Sequence, residues 1–246
     1  WYSFDIYSDS LLARLMVEQG TIFPENWVFG NQYYVIATPV LSAIVYAICH
    51  NSVLSLAIAS SMMMILILLT YLWAIGPFVQ RREKLAGLFC LSGAVVLGNS
   101  ASSYVNGLEY FYTMASFYAC YILSILLTLG VFFRIRTKRK VNPILFVISL
   151  LFSFALGMQS LRGTLVLYLA LLAYSVLMLV IRRNEKKSLL YSLFLVGINL
   201  IGVFVMKLIP AKSAPIISDV ELTTDVAELI INLKLTGKEF LTITGL

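Results

Sequence analysis

The sequence predicts an all-α protein: a polytopic transmembrane helix bundle, with an extracytoplasmic N-terminal loop that carries short juxtamembrane helices. Three observations lead there. Of the 246 residues, 60% are hydrophobic and only 12% charged, and the mean hydropathy is +0.91. A water-soluble domain of this size cannot hide so much apolar side chain, so lipid is the solvent for much of the chain. The apolar residues also gather into segments close to the ~20 residues that a helix needs to cross the hydrocarbon core. Finally, 12 of the 18 Lys and Arg residues sit in three short connections, which is a membrane-topology signal and not a nucleic-acid footprint.

The elements follow in order. Residues 1–33 are polar by the standard of this chain, and the apolar segment Tyr34–Cys49, with its Thr38-Pro39, is short for a span. Six segments then reach or approach span length: Val53–Gly76, Lys84–Gly98, Tyr110–Phe133, Pro143–Met158, Thr164–Ile181 and Leu189–Ile209. In the tail, Ser218-Asp-Val-Glu221 is a capping-box pattern. Leu222, Val226, Leu229, Ile230 and Leu233 follow at helical spacing, as in an amphipathic helix. The expected organisation is a loop unit over 1–52, a six-span bundle over 53–209 and an extracytoplasmic amphipathic segment over 210–246. The chain opens at Trp1 without a signal-peptide pattern and ends on an apolar run. A further span before Trp1 and further chain after Leu246 are expected.

Orientation comes from charge. The basic connections Arg81-Arg82-Glu83-Lys84, Arg134-Ile-Arg-Thr-Lys-Arg-Lys140 and Arg182-Arg-Asn-Glu-Lys-Lys187 are cytoplasmic by the positive-inside rule. Each is followed by a pair of spans whose far connection is nearly uncharged. The far side then holds Asn99–Glu109, Gln159–Gly163 and everything after Pro210. Val53–Gly76 starts outside, so the side of residues 1–33 depends on Tyr34–Cys49. His50-Asn51-Ser52 carries no cation to hold a turn inside, and an interfacial or re-entrant helix is favoured over a crossing. With that path, ten of the twelve acids are extracytoplasmic.

Several polar residues on that side invite a functional reading. Asp9 and Asp5 lie in the first segment, and Glu109 closes the outer loop that holds Asn99, Tyr104 and Asn106, with Tyr110 and Tyr112 directly after it. Arg162 stands almost alone, on the outer connection between Met158 and Thr164, and a cation there calls for an anionic partner. A carboxylate here can act as general base or hold a divalent cation, with Asp9 and Glu109 the available ligands. An Arg can grip phosphate through its planar fork, and tyrosine rings with amide donors suit a sugar. Plainer roles stand beside each of these. Asp9 could cap a helix running to about Glu18, the tyrosines could form an interfacial belt, and Arg162 could snorkel to headgroups. His50 reads as a helix-end residue, and Cys49, Cys90 and Cys120 read as small buried hydrophobes without metal-ligand spacing. No Walker loop, GxGxxG, HExxH or triad-type GxSxG is present, so soluble nucleotide and hydrolase chemistries have no support.

One family pattern fits these residues. Ser8-Asp-Ser10 followed by Leu12-Ala-Arg14, then Gly20-Thr-Ile-Phe-Pro24, Trp27-Val-Phe-Gly-Asn31 and Thr38-Pro39, resembles the first extracytoplasmic loop of GT-C type membrane glycosyltransferases. The nearest likeness is to the bacterial branch related to the dolichyl-phosphate-mannose mannosyltransferases. The resemblance implies that Asp9 is the catalytic or metal-binding carboxylate, with Asp5 a second candidate. It also makes Glu109 the acid of the second outer loop, and the turn Gln159-Ser-Leu-Arg162-Gly163 a lipid-phosphate site. The chain departs from the better-known members in having neither a paired Asp-Asp or Asp-Glu at the first site nor a His-Pro-Pro motif. What the resemblance implies is a multi-pass enzyme of the cell membrane. It would move a sugar from a polyprenyl-phosphate-linked donor to a cell-envelope glycan or glycolipid acceptor, with membrane lipid around it and no nucleic-acid partner. The alternatives are a transporter subunit, disfavoured by spans nearly empty of ionisable groups, and a non-catalytic membrane scaffold.

Overall fold

The computed structural model describes residues 4–25, 27–29, 32–97, 118–182 and 186–208, with the side chains of 4–7, 90–97, 162 and 182 outside the description. The described chain is all α-helix with no β-strand. In chain order, α1 is Phe4–Gln19, α2 Thr38–Cys49, α3 Ser52–Ile75 and α4 Arg81–Leu97. Next come α5, Ala119–Arg136, and α6, Pro143–Gln159. A short turn, Leu161–Gly163, and a π-helical turn, Thr164–Tyr168, lead into α7, Leu169–Arg182, and α8 is Lys186–Leu208. The amphipathic tail expected after Pro210 and the outer loop Asn99–Glu109 lie outside the described residues.

Local chemistry sets the helix boundaries. Asn51 caps α3 by accepting from Leu54 N–H at 3.0 Å, and Asn142 caps α6 by accepting from Ile144 N–H at 2.9 Å, with Pro143 in the first turn. α4 begins three residues before the apolar segment because Glu83 reaches back to Gln80 N–H at 2.8 Å, half of a capping box. At the other ends, His50 closes α2 in the left-handed conformation (φ 51°), and Gly20 follows α1 at φ 66°. One expectation is corrected here. Asp9 is not a helix cap, because α1 already begins at Phe4 and Asp9 lies in its second turn.

Among the described residues four stretches are long and apolar enough to cross a membrane: Ser52–Ile75, Ala119–Arg136, Thr164–Ile181 and Lys186–Leu208. α6, with 17 residues, is a shorter apolar helix. In lipid no hydrophobic force draws one helix to another, so close packing of small residues and interhelical hydrogen bonds must do it. The α6–α8 pair follows that rule. A methyl at Gly157 would overlap the backbone carbonyl of Asn199, and one at Gly202 the carbonyl of Phe154. Across the same seam Ser153 Oγ donates to Leu195 C=O at 2.7 Å, Asn199 Nδ2 to Ser153 C=O at 2.6 Å, and Tyr191 OH to Ser149 Oγ at 2.8 Å. Thr164 Oγ1 donates to Asn199 Oδ1, tying the π-turn to the same seam. The main core runs through Met63, Leu123, Val131, Leu156, Tyr168 and Leu195.

α3 and α5 are joined at their C-terminal ends. Arg134, 6% exposed, donates to the carbonyls of Trp73, Ala74 and Gly130. Its guanidinium lies 3.9 Å from the Trp73 ring centre, a cation–π contact. α3 has 24 residues, so its first residue lies roughly 35 Å from that junction. Residues 32–35 attach to the other end of the bundle, where α5 begins and α6 finishes. Tyr33 N–H donates to Gln159 C=O at 3.0 Å, and Tyr121 OH to Gln32 Oε1 at 2.9 Å. α2 therefore enters from the level of Gln159 and leaves into the first turn of α3. Both of its ends belong to the half of the bundle away from Arg134, and its 12 residues reach only about 18 Å.

Candidate functional site

The site is built on the N-terminal module, in which α1 and α2 pack on each other and on α3. Its small core holds Leu12, Ala13, Met16, Phe29 and Ala43. Around it, Phe23, Phe29, Tyr33 and Tyr34 meet edge to face with centroids 5.3–6.2 Å apart. The loop is closed by a reciprocal pair: Gln19 Oε1 accepts from Glu25 N–H at 2.6 Å and Gln19 Nε2 donates to Glu25 C=O at 3.3 Å. Arg14 and Glu18 make an exposed ion pair at 2.6 Å on the solvent side of α1, a contact worth little to stability.

Asp9 occupies the opposite, buried stripe. Residues 9, 12, 13 and 16 follow helical spacing, so its carboxylate shares a face with Leu12, Ala13 and Met16. It is 1% exposed. Burying a carboxylate is costly unless polar groups meet it, and none of Ser8, Asp9 and Ser10 is without an interaction partner. Asp5 lies one turn earlier on the same helix, a spacing that puts the two acids on one face.

Gln159 locks the module to the bundle. It is also 1% exposed and uses both ends of its side chain: Oε1 accepts from Val35 N–H at 3.3 Å, and Nε2 donates to Cys120 Sγ at 3.5 Å. Its backbone carbonyl takes the Tyr33 bond described above. Thr38 and Ser42 continue the buried polar lining along α2, and Ser42 Oγ has no hydrogen-bond partner. Arg162 follows Gln159 by one short turn, in Leu161–Gly163, so its backbone belongs to the same end of the bundle.

Of the residues singled out from sequence, Asp9 and the backbone position of Asp5 share α1, and the backbone of Arg162 lies in the turn after Gln159, the residue that bonds to Tyr33 and Val35. Glu109, Tyr104 and Asn99 lie outside the described residues. Gln32, Tyr121 and Gln159 were not anticipated as a constellation. The available signal was a Gln ending an uncharged apolar helix, where a side chain with both donor and acceptor must find partners. Among the described residues no three His, Cys, Asp or Glu side chains converge as a metal site, and the second ligand expected beside Asp9, Glu109, is outside them.

Fold and spans together define a class: a polytopic α-helical membrane protein. No protein-family model, no curated protein and no solved structure matches the chain.

Proposed function

We propose that the protein is a glycosyltransferase of the cell membrane that moves a sugar from a polyprenyl-phosphate-linked donor to a cell-envelope glycan or glycolipid acceptor on the outer face. The observation that carries this reading is a buried carboxylate, Asp9, on a polar module packed at the same end of an apolar bundle as the Arg162 turn. In the reaction Asp9 takes the proton of the acceptor hydroxyl as its oxygen bonds to the anomeric carbon. The bond from that carbon to the phosphate oxygen breaks, and its electron pair leaves with the polyprenyl phosphate. Arg162 meets the charge that grows on the phosphate. The attack comes from the face opposite the leaving group, so configuration inverts. A divalent cation, if used, would share Asp9 with Glu109. Because Asp9 is 1% exposed, the acceptor reaches it only when α1 shifts against α2, which also keeps water from the donor between turnovers.

The test is sugar transfer by the purified full-length protein. Removing the base by Asp9→Asn is expected to slow transfer by about 10²–10⁴-fold, and Arg162→Ala to weaken polyprenyl-phosphate binding. An Asp9→Asn protein as fast as wild type sinks the proposal. Asp9→Ser at no cost, with no polyprenyl-phosphate binding, indicates the scaffold alternative, and solute uptake in proteoliposomes indicates the transporter.

A further inference from the structure

At the end of the bundle away from Asp9, a cavity of about 430 Å³ opens between the C-terminal turn of α3 and the last turns of α5. Its walls are apolar: Ile75, Phe78, Leu126, Leu129 and Phe133 supply most of them. Thr137, at the end of α5, is the one hydroxyl-bearing residue in the lining, and it is satisfied by donating to Phe133 C=O at 2.7 Å. A crevice of this size is large enough for a ligand, and its lining gives a polar ligand nothing to bond.

The rim is the opposite in kind. The guanidinium of Arg139 sits 5.7 Å from the ring centre of Phe78, a wall residue. The ammonium of Lys84 lies beside Gly76, next to Ile75. Lys138, Lys140, Arg81 and Arg82 are exposed close by in sequence. The one acid in these two connections, Glu83, is turned to the backbone N–H of Gln80. Among the described residues neither Lys84 nor Arg139 has a carboxylate partner. Cations at the mouth of an apolar slot match a molecule with a phosphate at one end and a hydrocarbon chain at the other.

We infer that the crevice between α3 and α5 is a binding site for one anionic membrane phospholipid, its acyl chain between Phe78 and Leu129 and its phosphate held by Arg139 and Lys84. The inference is independent of the reaction assigned above, which concerns the other end of the bundle. Buried between two spans, the acyl chain would complete the α3–α5 packing, and the phosphate would offset a cluster of like charges.

The experiment uses the full-length protein in detergent, titrated with short-chain phosphatidylglycerol and read by native mass spectrometry. Wild type is expected to retain one phosphatidylglycerol, with binding that weakens as salt rises, and to take up phosphatidylcholine at least tenfold more weakly. The charge-removal variant K84A/R139A is expected to lose at least tenfold in phosphatidylglycerol affinity while its unfolding temperature without lipid stays within a few degrees of wild type. L129W, which fills the slot, is expected to lose binding with the charges intact. Equal retention of the two phospholipids, or unchanged binding in K84A/R139A, overturns the inference. So does polyprenyl phosphate displacing phosphatidylglycerol at lower concentration than phosphatidylglycerol itself, which would assign the slot to that lipid.

Discussion

Gln159 connects three parts of the chain from one position: the loop at residues 33–35, the start of α5 and the end of α6. Its side-chain oxygen is the acceptor for Val35 N–H, and its amide meets Cys120. Replacing it with Ala leaves a partly buried amide without a partner, at a cost of about 1–3 kcal/mol. Gln159→Ala is therefore expected to lower the unfolding temperature in detergent and to speed proteolytic cleavage within residues 20–37, leaving the spans uncut. Unchanged cleavage would mean that the aromatic cluster alone holds the module. Asp9 shows the limit of reading a residue from its neighbours. In sequence it resembles a cap, because Asp before an apolar stretch is a favoured first residue of a helix. The helix that contains it starts five residues earlier, so Asp9 stands inside the helix and not at its first residue.

At the scale of elements, α6 and α8 depend on two glycines. Gly157 and Gly202 stand where backbone meets backbone, and a methyl at either would overlap a carbonyl of the facing helix. Gly157→Ala or Gly202→Ala must push the helices apart and stretch the bonds from Ser153 and Asn199. A loss of about 1–3 kcal/mol each is expected, as for other overpacked cores. Gly197, on the same α8, has nothing within 4 Å of the added methyl. Gly197→Ala is expected to be neutral or stabilising by up to ~1 kcal/mol through helix propensity. Thermal unfolding of the three variants in one detergent checks this; equal behaviour would show that the seam is not set by close approach.

For the whole molecule the decisive question is which end of the bundle faces which compartment. Cys49 and the connection after α5 belong to opposite ends. Cys49 Sγ lies 3.2 Å from Ser55 Oγ, and that hydrogen bond holds the thiol below its ordinary pKa. A lowered pKa means more thiolate at a given pH, so labelling should rise with pH and reach half-maximum earlier than for an ordinary thiol. Ser55→Ala should move the midpoint back up. In intact cells, with Cys90 replaced by Ser and Cys120 buried, an impermeant maleimide is expected to label Cys49 at once and Lys138→Cys only after permeabilisation. The reverse order would put Asp9 inside and remove the outer-face glycosyltransferase reading.

The sequence by itself determined the helical class and where helices run. α3 spans Ser52–Ile75 where the apolar segment is Val53–Gly76, and α6 spans Pro143–Gln159 where it is Pro143–Met158. The reason is local: a helix in lipid satisfies its own backbone hydrogen bonds, so composition over ~20 residues is enough to mark it. The start of α4 was off by one turn because a single carboxylate, Glu83, extends it, and apolar run length does not register a cap. Only the tertiary structure decided the path of α2, the burial of Asp9 and Arg134 and the bonds of Gln159. Each depends on which faces meet across residues far apart in the chain, and in lipid that choice rests on a few small residues and hydrogen bonds with no hydrophobic pattern to announce them.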